Sequence, residues 1–218
     1  MNAHDKLIEK LSRDLAPVSP APNVNALSLV WLLLSAGYVV AVTHMIGPIR
    51  DGAFTQLLSE PRFLFESLLG VVAITWIGMA AFRAAIPAAL SRTFALAGFV
   101  LLALWLAQYV FGLVSPALEP SELGKRSHCY LETVAYSVPP TLVSIFLVRR
   151  QYPLQFVGTA MALGLSAGMI PALYMQFACM YEPMHILGLH ILPGMSMVLV
   201  GVVAATLWPA RYDSLKHR

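Results

Sequence analysis

The chain has 218 residues, of which 58% are hydrophobic and only 11% carry a charged side chain. A soluble domain carries charges on about a quarter of its residues, so this composition excludes an ordinary soluble domain and predicts a membrane protein. The formal net charge of +3 is small enough to follow from basic residues on one side of a membrane, and it does not indicate direct binding to nucleic acid.

The first segment, residues 1–24, is predicted to be a short amphipathic helix followed by a spacer. Its aliphatic side chains fall within an arc of about 100° on a helical wheel, and charged residues occupy the rest. The prolines from Pro17 to Pro22 predict an extended spacer. A helix of roughly twelve residues is marginal in water, so its apolar stripe needs a surface, either the membrane or a cytosolic protein. The candidate partner-binding residues are Leu7, Ile8, Leu11, Asp14 and Leu15.

Six later stretches are long and apolar enough to cross about 30 Å of hydrocarbon at about 1.5 Å per helical residue. Backbone polar groups in lipid must bond within their own segment, so these stretches are predicted to be helices. The predicted fold is an all-α membrane protein, a six-transmembrane-helix bundle over residues 25–207 with a tail at 208–218. The spans lie at roughly 25–46, 63–82, 93–114, 130–148, 154–178 and 185–207.

The lysine and arginine residues predict the orientation of the bundle. Basic residues concentrate on the cytoplasmic side of membrane proteins, and an inside N-terminus places ten of them inside and four outside. Both termini are then cytoplasmic, and the inner loops are too short for a soluble catalytic module, so we do not expect an enzyme. The inside set is Lys6, Lys10, Arg13, Arg83, Arg92, Arg149, Arg150, Arg211, Lys216 and Arg218, and the outside set is Arg50, Arg62, Lys125 and Arg126.

Strongly polar residues within the spans fall almost entirely in the outer half. Ionisable groups inside a membrane usually face the bundle interior or a wet cavity, so their placement predicts a polar vestibule open to the outside. The alternative is that they lie near helix ends and reach the interface. The outer residues are His44, Glu66, Gln108, Glu132, Gln176, His185 and His190, and Gln155 lies at an inner end.

The two cysteines fall on the same outer side, Cys129 at the start of the fourth span and Cys179 at the end of the fifth. An antiparallel helix pair joined by a tight loop can bring them together. One interpretation is a structural disulfide. The other is reversible thiol chemistry or the binding of a soft metal ion. Weaker candidates near them are His128, His185 and His190, although the spacing is not a recognised zinc pattern.

Three segments resemble, in order, the NrsF-type anti-sigma factors, which are negative regulators of a sigma-F-like extracytoplasmic-function (ECF) sigma factor. The segments are KLIEKLSRDLAPVSP from Lys6, CYLETVAYSVPPTLVSIFLVRRQYP from Cys129 and CMYEPMHILGLH from Cys179. The resemblance runs from Lys6 to about Trp208. In the family a proline-rich region commonly begins just after the second cysteine, whereas here Met180, Tyr181 and Glu182 stand between Cys179 and Pro183.

The resemblance implies a protein of the bacterial inner membrane that binds an ECF sigma factor at the cytoplasmic face and holds it inactive. It also implies release of that factor when two extracytoplasmic cysteines, corresponding to Cys129 and Cys179, sense heavy metal or oxidant. The cytoplasmic N-terminal segment of the family corresponds to Asp5–Pro20. No constitutive cofactor is implied, and a soft metal ion would act only as the signal.

Two alternatives belong to other functional classes. A small transporter or channel needs polar residues along a path right through the bilayer, but the inner half offers mostly serine and threonine. A membrane thiol oxidoreductase typically carries a C-x-x-C pair, whereas the two cysteines here are fifty residues apart. We therefore predict a sensor and anti-sigma factor without catalytic activity.

Overall fold

The structure is a computed structural model, and it describes residues 2–13, 22–151 and 153–208. Six helices are long and apolar enough to cross a membrane, and the ends of the predicted spans differ from theirs by at most two residues. The predicted all-α architecture of six apolar helices is therefore confirmed. The elements are α1 (Ala3–Arg13), α2 (Val24–Ile46), α3 (Ala53–Ser59), α4 (Pro61–Arg83), α5 (Arg92–Gly112), α6 (Cys129–Arg149), α7 (Phe156–Ala178), α8 (Pro183–Ile186), a π-helical turn (Leu187–Ile191) and α9 (Leu192–Leu207).

The amphipathic N-terminal segment forms helix α1. Leu7 and Ile8 are 55% and 65% exposed, so this part of the apolar stripe is not covered by the bundle. Leu11 lies in the same helix. Asp14 and Leu15, together with most of the expected spacer, lie outside the described residues.

Helix α7 lies at the centre of the bundle, where it packs against α2, α4, α6 and α9. Gly164 and Gly168 explain the close approach of α9, because a Cβ atom at either position would overlap the backbone of Met197 or Gly194. Small residues let two helix backbones come into direct contact and gain dispersion energy along the whole interface. The GLSAG segment of α7 is thus a packing face for α9.

The bundle has two ends, which we name by what they carry. The cysteine end comprises residues 47–60, 113–128 and 179–182. The N-terminal end is the opposite one, where α2 begins and where α4, α6 and α9 end. At the N-terminal end, Arg83 Nε donates a 2.9 Å hydrogen bond to Asn25 Oδ1 and joins α4 to α2. At the cysteine end, the short helix α3, which the sequence did not predict, packs against α4 and α7.

Helix α6 carries a row of buried hydroxyl groups. Thr133, Ser137 and Thr141 each donate to the backbone carbonyl four residues earlier, at 2.6–2.8 Å. Side chains that bond within their own helix do not require water or a partner helix. The row is therefore compatible with a dry interior next to α7 and α9.

Candidate thiol and histidine site

The two cysteine side chains meet at the cysteine end of the bundle. Cys129 is the first residue of α6, and Cys179 follows the last residue of α7. Their sulfur atoms lie 2.9 Å apart, and both side chains are buried. A disulfide bond is about 2.05 Å long, so a movement of roughly 1 Å separates this arrangement from a covalent bridge. The antiparallel pairing of the fourth and fifth spans brings the cysteines together, as the sequence predicted.

Two histidines complete a compact group with the cysteines. His185 Nε2 lies 3.3 Å from Cys179 Sγ, and the ring centroids of His185 and His190 are 5.0 Å apart. One potential ligand atom from each of the four residues lies within 4.8 Å of every other. Two thiols and two imidazoles at this spacing form a set of soft and borderline donors suited to zinc-like ions.

Glu182 positions His185 at the start of α8. Its carboxylate accepts hydrogen bonds from the backbone N–H groups of Met184 and His185, at 3.2 and 2.6 Å. Pro183 occupies the first position of the helix. An N–H group at this position has no partner within the helix, so the proline, which lacks one, loses no hydrogen bond there. These contacts determine where α8 begins and so direct the His185 ring towards Cys179.

His190 lies in the π-helical turn and is fully buried. Neither ring nitrogen makes a hydrogen bond of ordinary length to a described residue. A buried polar group without a partner is uncommon in proteins and needs an explanation. π-Helical turns are rare and occur often at functional sites, and this one delivers a histidine to a pair of thiols.

His128 does not join the group, although it is adjacent to Cys129 in the sequence. Its side chain is exposed, and its Nδ1 atom lies 2.7 Å from Ser127 Oγ. It precedes the first turn of α6, so its side chain leaves the helix in a different direction from that of Cys129. The expectation that His128 joins the thiols because it is adjacent to Cys129 in the sequence is therefore not met. The buried His190 joins them instead.

The surroundings of Cys179 favour its thiolate form. A hydrogen bond from the Cys129 thiol lowers the pKa of Cys179, and the imidazoles of His185 and His190 add to this effect against the opposing influence of burial. The thiolate is the form that attacks oxidants and binds metal ions. Because His185 Nε2 lies 3.3 Å from Cys179 Sγ, the arrangement favours the thiolate on Cys179.

Arg50 places a buried positive charge beside the same loop. Its guanidinium carbon lies 5.9 Å from the ring centroids of both Phe63 and Tyr181. Burial lowers the pKa of Arg50, and the negative charge of Cys179 opposes that shift. Gly124 packs directly on Arg50, because a Cβ atom there would come within 2.7 Å of the Arg50 Cβ.

A cavity of about 380 Å³ leads to the histidine side of the group. It is lined by residues of the 113–128 connection and of the segment after α7, including Met180, Glu182, His185 and the ion pair of Glu122 with Lys125, whose oxygen and nitrogen atoms are 2.9 Å apart. Carboxylate and thioether groups along such a route can hold a divalent ion weakly before it reaches stronger donors. The cavity thus reaches His185, the histidine whose Nε2 atom lies 3.3 Å from the buried Cys179 sulfur.

Two of the residues predicted to line an open vestibule, Glu66 and Gln176, form a buried hydrogen-bonded network. Tyr181 donates to Glu66 Oε2 at 2.9 Å, and Gln176 Nε2 donates to Ser67 Oγ at 2.8 Å. Tyr109 donates to the side-chain oxygen of Gln176. Gln176 is fully buried, so the vestibule expectation is wrong for it, whereas Glu66 is buried but also lines a cavity of about 320 Å³ with Gln108. The sequence pointed to both as polar groups in spans but did not indicate their tyrosine partners.

A comparison with protein families matches residues 11–210 to the family described as negative regulator of sigma F, NrsF. The chain belongs to the NrsF family. Both cysteines and both clustered histidines lie within the matched range, which begins inside α1. Membership of the NrsF family implies negative regulation of a sigma factor. No curated protein and no solved structure gives a significant match.

Proposed function

We propose that this member of the NrsF family is a multi-pass anti-sigma factor of a bacterial inner membrane. It holds an ECF sigma factor at the cytoplasmic face and releases it when Cys129 and Cys179 meet a soft metal ion or an oxidant at the other face. The observation that carries the proposal is the 2.9 Å approach of the two sulfur atoms in a chain whose family regulates a sigma factor.

The arrangement of the chain supports a sensor and a docking surface on opposite faces. The thiols lie at the cysteine end, whereas α1 precedes α2 at the N-terminal end. The excess of lysine and arginine on the side of the N-terminal end favours that end as cytoplasmic. The cysteines would then face a compartment in which thiol pairs can be oxidised.

For an oxidant, the chemistry is the formation of one disulfide. The Cys179 thiolate attacks a hydroperoxide to give a sulfenic acid and an alcohol or water. Cys129 then displaces water from that sulfenic acid, and the S–S bond forms. The two thiols lose two electrons and two protons in total, and the hydroperoxide is reduced. The short distance between the sulfur atoms supports a fast second step, in which Cys129 attacks the sulfenic acid of Cys179 and the disulfide forms.

For a metal ion, the chemistry is the exchange of thiol protons for a soft cation. Thiolates select soft ions such as cadmium over the hard ions that are abundant outside cells. The lowered pKa of Cys179 reduces the proton competition that such an ion meets. The protein needs no resident cofactor in this proposal, because the ion is the signal.

For the sigma factor, the candidate docking surface is the apolar stripe of α1. Leu7 and Ile8 are exposed, and the sequence adds Leu11, Asp14 and Leu15 to the candidate contacts. Burial of four aliphatic side chains is worth roughly 6–10 kcal/mol, from which several kcal/mol are lost to association and ordering. That leaves micromolar affinity at best, so tight binding requires the sigma factor to contact neighbouring loops as well.

Signal transfer follows from linkage between the two sites. A ligand at the thiols can change sigma-factor affinity only by as much as it prefers one arrangement of the bundle over another. Cys129 begins α6 and Cys179 ends α7, so closing a bond between them constrains two central helices. Those helices extend to the N-terminal end, where the sigma factor would dock.

Co-purification tests the proposal. The full-length protein, solubilised in mild detergent, is captured with and without cadmium or a hydroperoxide, and bound sigma factor is quantified. We expect a stable complex in the untreated sample and loss of the sigma factor after either treatment. A complex that survives both treatments unchanged would contradict thiol-triggered release.

Orientation is tested separately with a new cysteine at an exposed position. Ser121→Cys in a Cys129→Ser/Cys179→Ser background places one thiol at the cysteine end, since Ser121 is exposed. We expect a membrane-impermeant maleimide to label it in intact spheroplasts. Labelling only after lysis would reverse the proposed topology.

The transporter and thiol oxidoreductase alternatives receive less support. The buried hydroxyl groups of α6 bond to their own helix, which leaves little reason for water or solute to pass beside them. The two cysteines can make one bridge, but a relay requires a second pair. Assays of liposome flux and of quinone-linked thiol oxidation would detect either activity.

A further inference from the structure

We propose that Cys129, Cys179, His185 and His190 together form a four-coordinate site for a divalent d10 ion of the zinc and cadmium class. The inference rests on the proposed function for its biological role and extends it by naming the complete ligand set and the class of ion. The histidines would bind the ion directly, and would not merely tune two sulfur ligands.

The distances fit tetrahedral coordination after small side-chain movements. Metal–sulfur and metal–nitrogen bonds of about 2.3 and 2.0–2.1 Å place neighbouring donors of a tetrahedron about 3.3–3.8 Å apart. The four candidate donor atoms lie within 4.8 Å of one another. The sulfur atoms, at 2.9 Å, would separate by roughly 1 Å, and the most distant pair would approach by a similar amount.

The π-helical turn explains how histidines five residues apart can act together. Residues at i and i+5 of an α-helix point about 140° apart, because each residue advances the helix by about 100°. A π-helical turn closes with i→i+5 hydrogen bonds, so it brings such residues onto one face. The turn from Leu187 to Ile191 begins two residues after His185 and contains His190, and the two rings accordingly meet edge to face.

Pro193 gives a local reason for that turn. Proline lacks an N–H group, and its ring clashes with the carbonyl four residues earlier in an α-helix. Pro193 stands in the first turn of α9, immediately after the π-helical turn. A wider turn relieves the clash with Leu189, so the sequence around Pro193 favours the geometry that delivers His190.

His190 supplies the strongest indication of a missing partner. The side chain is fully buried, and neither ring nitrogen makes a hydrogen bond of ordinary length to a described residue, although one of them lies within 4.8 Å of Cys179 Sγ. A disulfide between the cysteines would satisfy neither nitrogen, whereas coordination would satisfy one. A purely structural histidine at this depth would be expected to donate or accept at least one hydrogen bond.

The charge of the set suits a buried divalent ion. Two thiolates cancel the two positive charges, and the imidazoles bind in their neutral form. A centre without net charge avoids most of the penalty for burying an ion in a low-dielectric region. The Glu182 carboxylate accepts a 2.6 Å hydrogen bond from the backbone N–H of His185. It would not bind the ion itself, but it would keep the His185 ligand in position.

Cobalt(II) is the probe for the test, because four-coordinate Co²⁺ with thiolate ligands has intense visible absorption that six-coordinate Co²⁺ lacks. The full-length protein is purified in detergent under reducing conditions and titrated with Co²⁺, and then with Cd²⁺ in competition. We expect one ion per chain with a tetrahedral spectrum. His185→Gln and His190→Gln should each lower Cd²⁺ affinity by more than the about 10–100-fold that loss of an outer-shell partner produces. His128→Gln, an exposed histidine beside Cys129, should leave affinity and spectrum unchanged.

A second measurement uses only the unmodified protein, so it tests the site even if the histidine variants do not fold. The chemical shift of ¹¹³Cd bound to the unmodified protein should correspond to two sulfur and two nitrogen donors. A shift typical of two sulfurs with oxygen donors would overturn the four-ligand site. So would histidine variants that keep the wild-type cobalt spectrum and cadmium affinity.

The two proposals can fail independently. If the cysteine variants abolish the response but the histidine variants bind metal normally, the sensor stands and the four-ligand site is wrong. If the unmodified protein shows sulfur and nitrogen donors but the cysteine variants still release the sigma factor on treatment, the site stands and the sensing function is wrong.

Discussion

The hydroxyl group of Tyr181 donates a 2.9 Å hydrogen bond to the buried carboxylate of Glu66. Tyr181 follows Cys179 by two residues, and Glu66 lies in the second turn of α4. The backbone N–H of Ala117 also donates to the Tyr181 oxygen, at 3.3 Å. One phenol group therefore connects the loop that carries the reactive thiol to α4 and to the connection between α5 and α6.

Removal of this hydroxyl group should weaken the release of the sigma factor without preventing cadmium from binding to the thiols. Tyr181→Phe leaves the Glu66 carboxylate buried without its donor, and we expect a loss of about 1–3 kcal/mol in the free energy of unfolding. We also expect cadmium binding to persist while release of the sigma factor falls. The measurements are unfolding in detergent and a sigma-dependent reporter.

Tyr130→Phe is the control for the same substitution, because Tyr130 is 43% exposed on α6. It should change neither stability nor response. If Tyr181→Phe behaves like this control in the reporter assay, the phenol does not transmit the signal.

Loss of either cysteine should abolish induction. Cys129→Ser and Cys179→Ser remove one sulfur each, so neither a disulfide nor a two-thiolate metal site can form. We expect both proteins to insert in the membrane and to repress the sigma factor, but not to respond to cadmium or hydroperoxide. A sigma-dependent reporter and membrane fractionation provide the measurements. A double Cys→Ser protein that responds normally would remove the sensing role.

Truncation of the apolar stripe of α1 should weaken sigma-factor binding. Leu7→Ala/Ile8→Ala removes aliphatic groups worth about 2–4 kcal/mol if they are buried in the complex. Lys6→Ala changes the opposite face of the same helix and should have a much smaller effect. Affinity is measured by titrating labelled sigma factor onto the detergent-solubilised protein.

Deletion of residues 1–16 should then leave the sigma factor free in cells, because the whole stripe is lost. Persistent repression after this deletion would place the docking surface on the loops of the bundle.

Glycine at position 168 should be essential for the contact between α7 and α9. Gly168→Ala introduces a Cβ atom that overlaps the carbonyl oxygen of Gly194, so we expect a loss of about 1–3 kcal/mol in the free energy of unfolding. Gly158→Ala is a matched control on the same helix, since its Cβ would meet no atom within 4 Å. The control should be neutral or stabilising by up to about 1 kcal/mol. Equal stabilities for the two variants in chemical denaturation would refute the close packing.

Glu182 should matter for metal affinity, although it is not a proposed ligand. Glu182→Ala removes the acceptor for the His185 N–H, and we expect cadmium affinity to fall about 10–100-fold. Glu122→Ala removes an exposed carboxylate from the same cavity, and it separates positioning from simple electrostatic attraction of the ion. An equal drop in both variants would assign the effect to attraction. Equilibrium dialysis with cadmium gives the affinities.

The six spans and the shared location of the cysteines could both be predicted from the sequence. Spanning a bilayer depends on length and apolarity, which are properties of each stretch alone. Each span reverses the direction of the chain, so the end of the fifth and the start of the fourth necessarily fall at one end of the bundle. Cys129 and Cys179 follow from that alternation.

The polar groups that accompany the thiols became clear from the packing of the helices. The spans are apolar on nearly every side, so no stripe in the sequence reveals how each helix is rotated about its axis. His190 belongs to the thiol and histidine site because a π-helical turn changes the direction of its side chain. His128 does not belong to it because it precedes the first turn of α6. Tyr181 and Glu66 are 115 residues apart, and their pairing depends on how α4 and α7 pack. Local patterns describe single helices, whereas a site between helices depends on their relative rotation and on small departures from α-helical geometry.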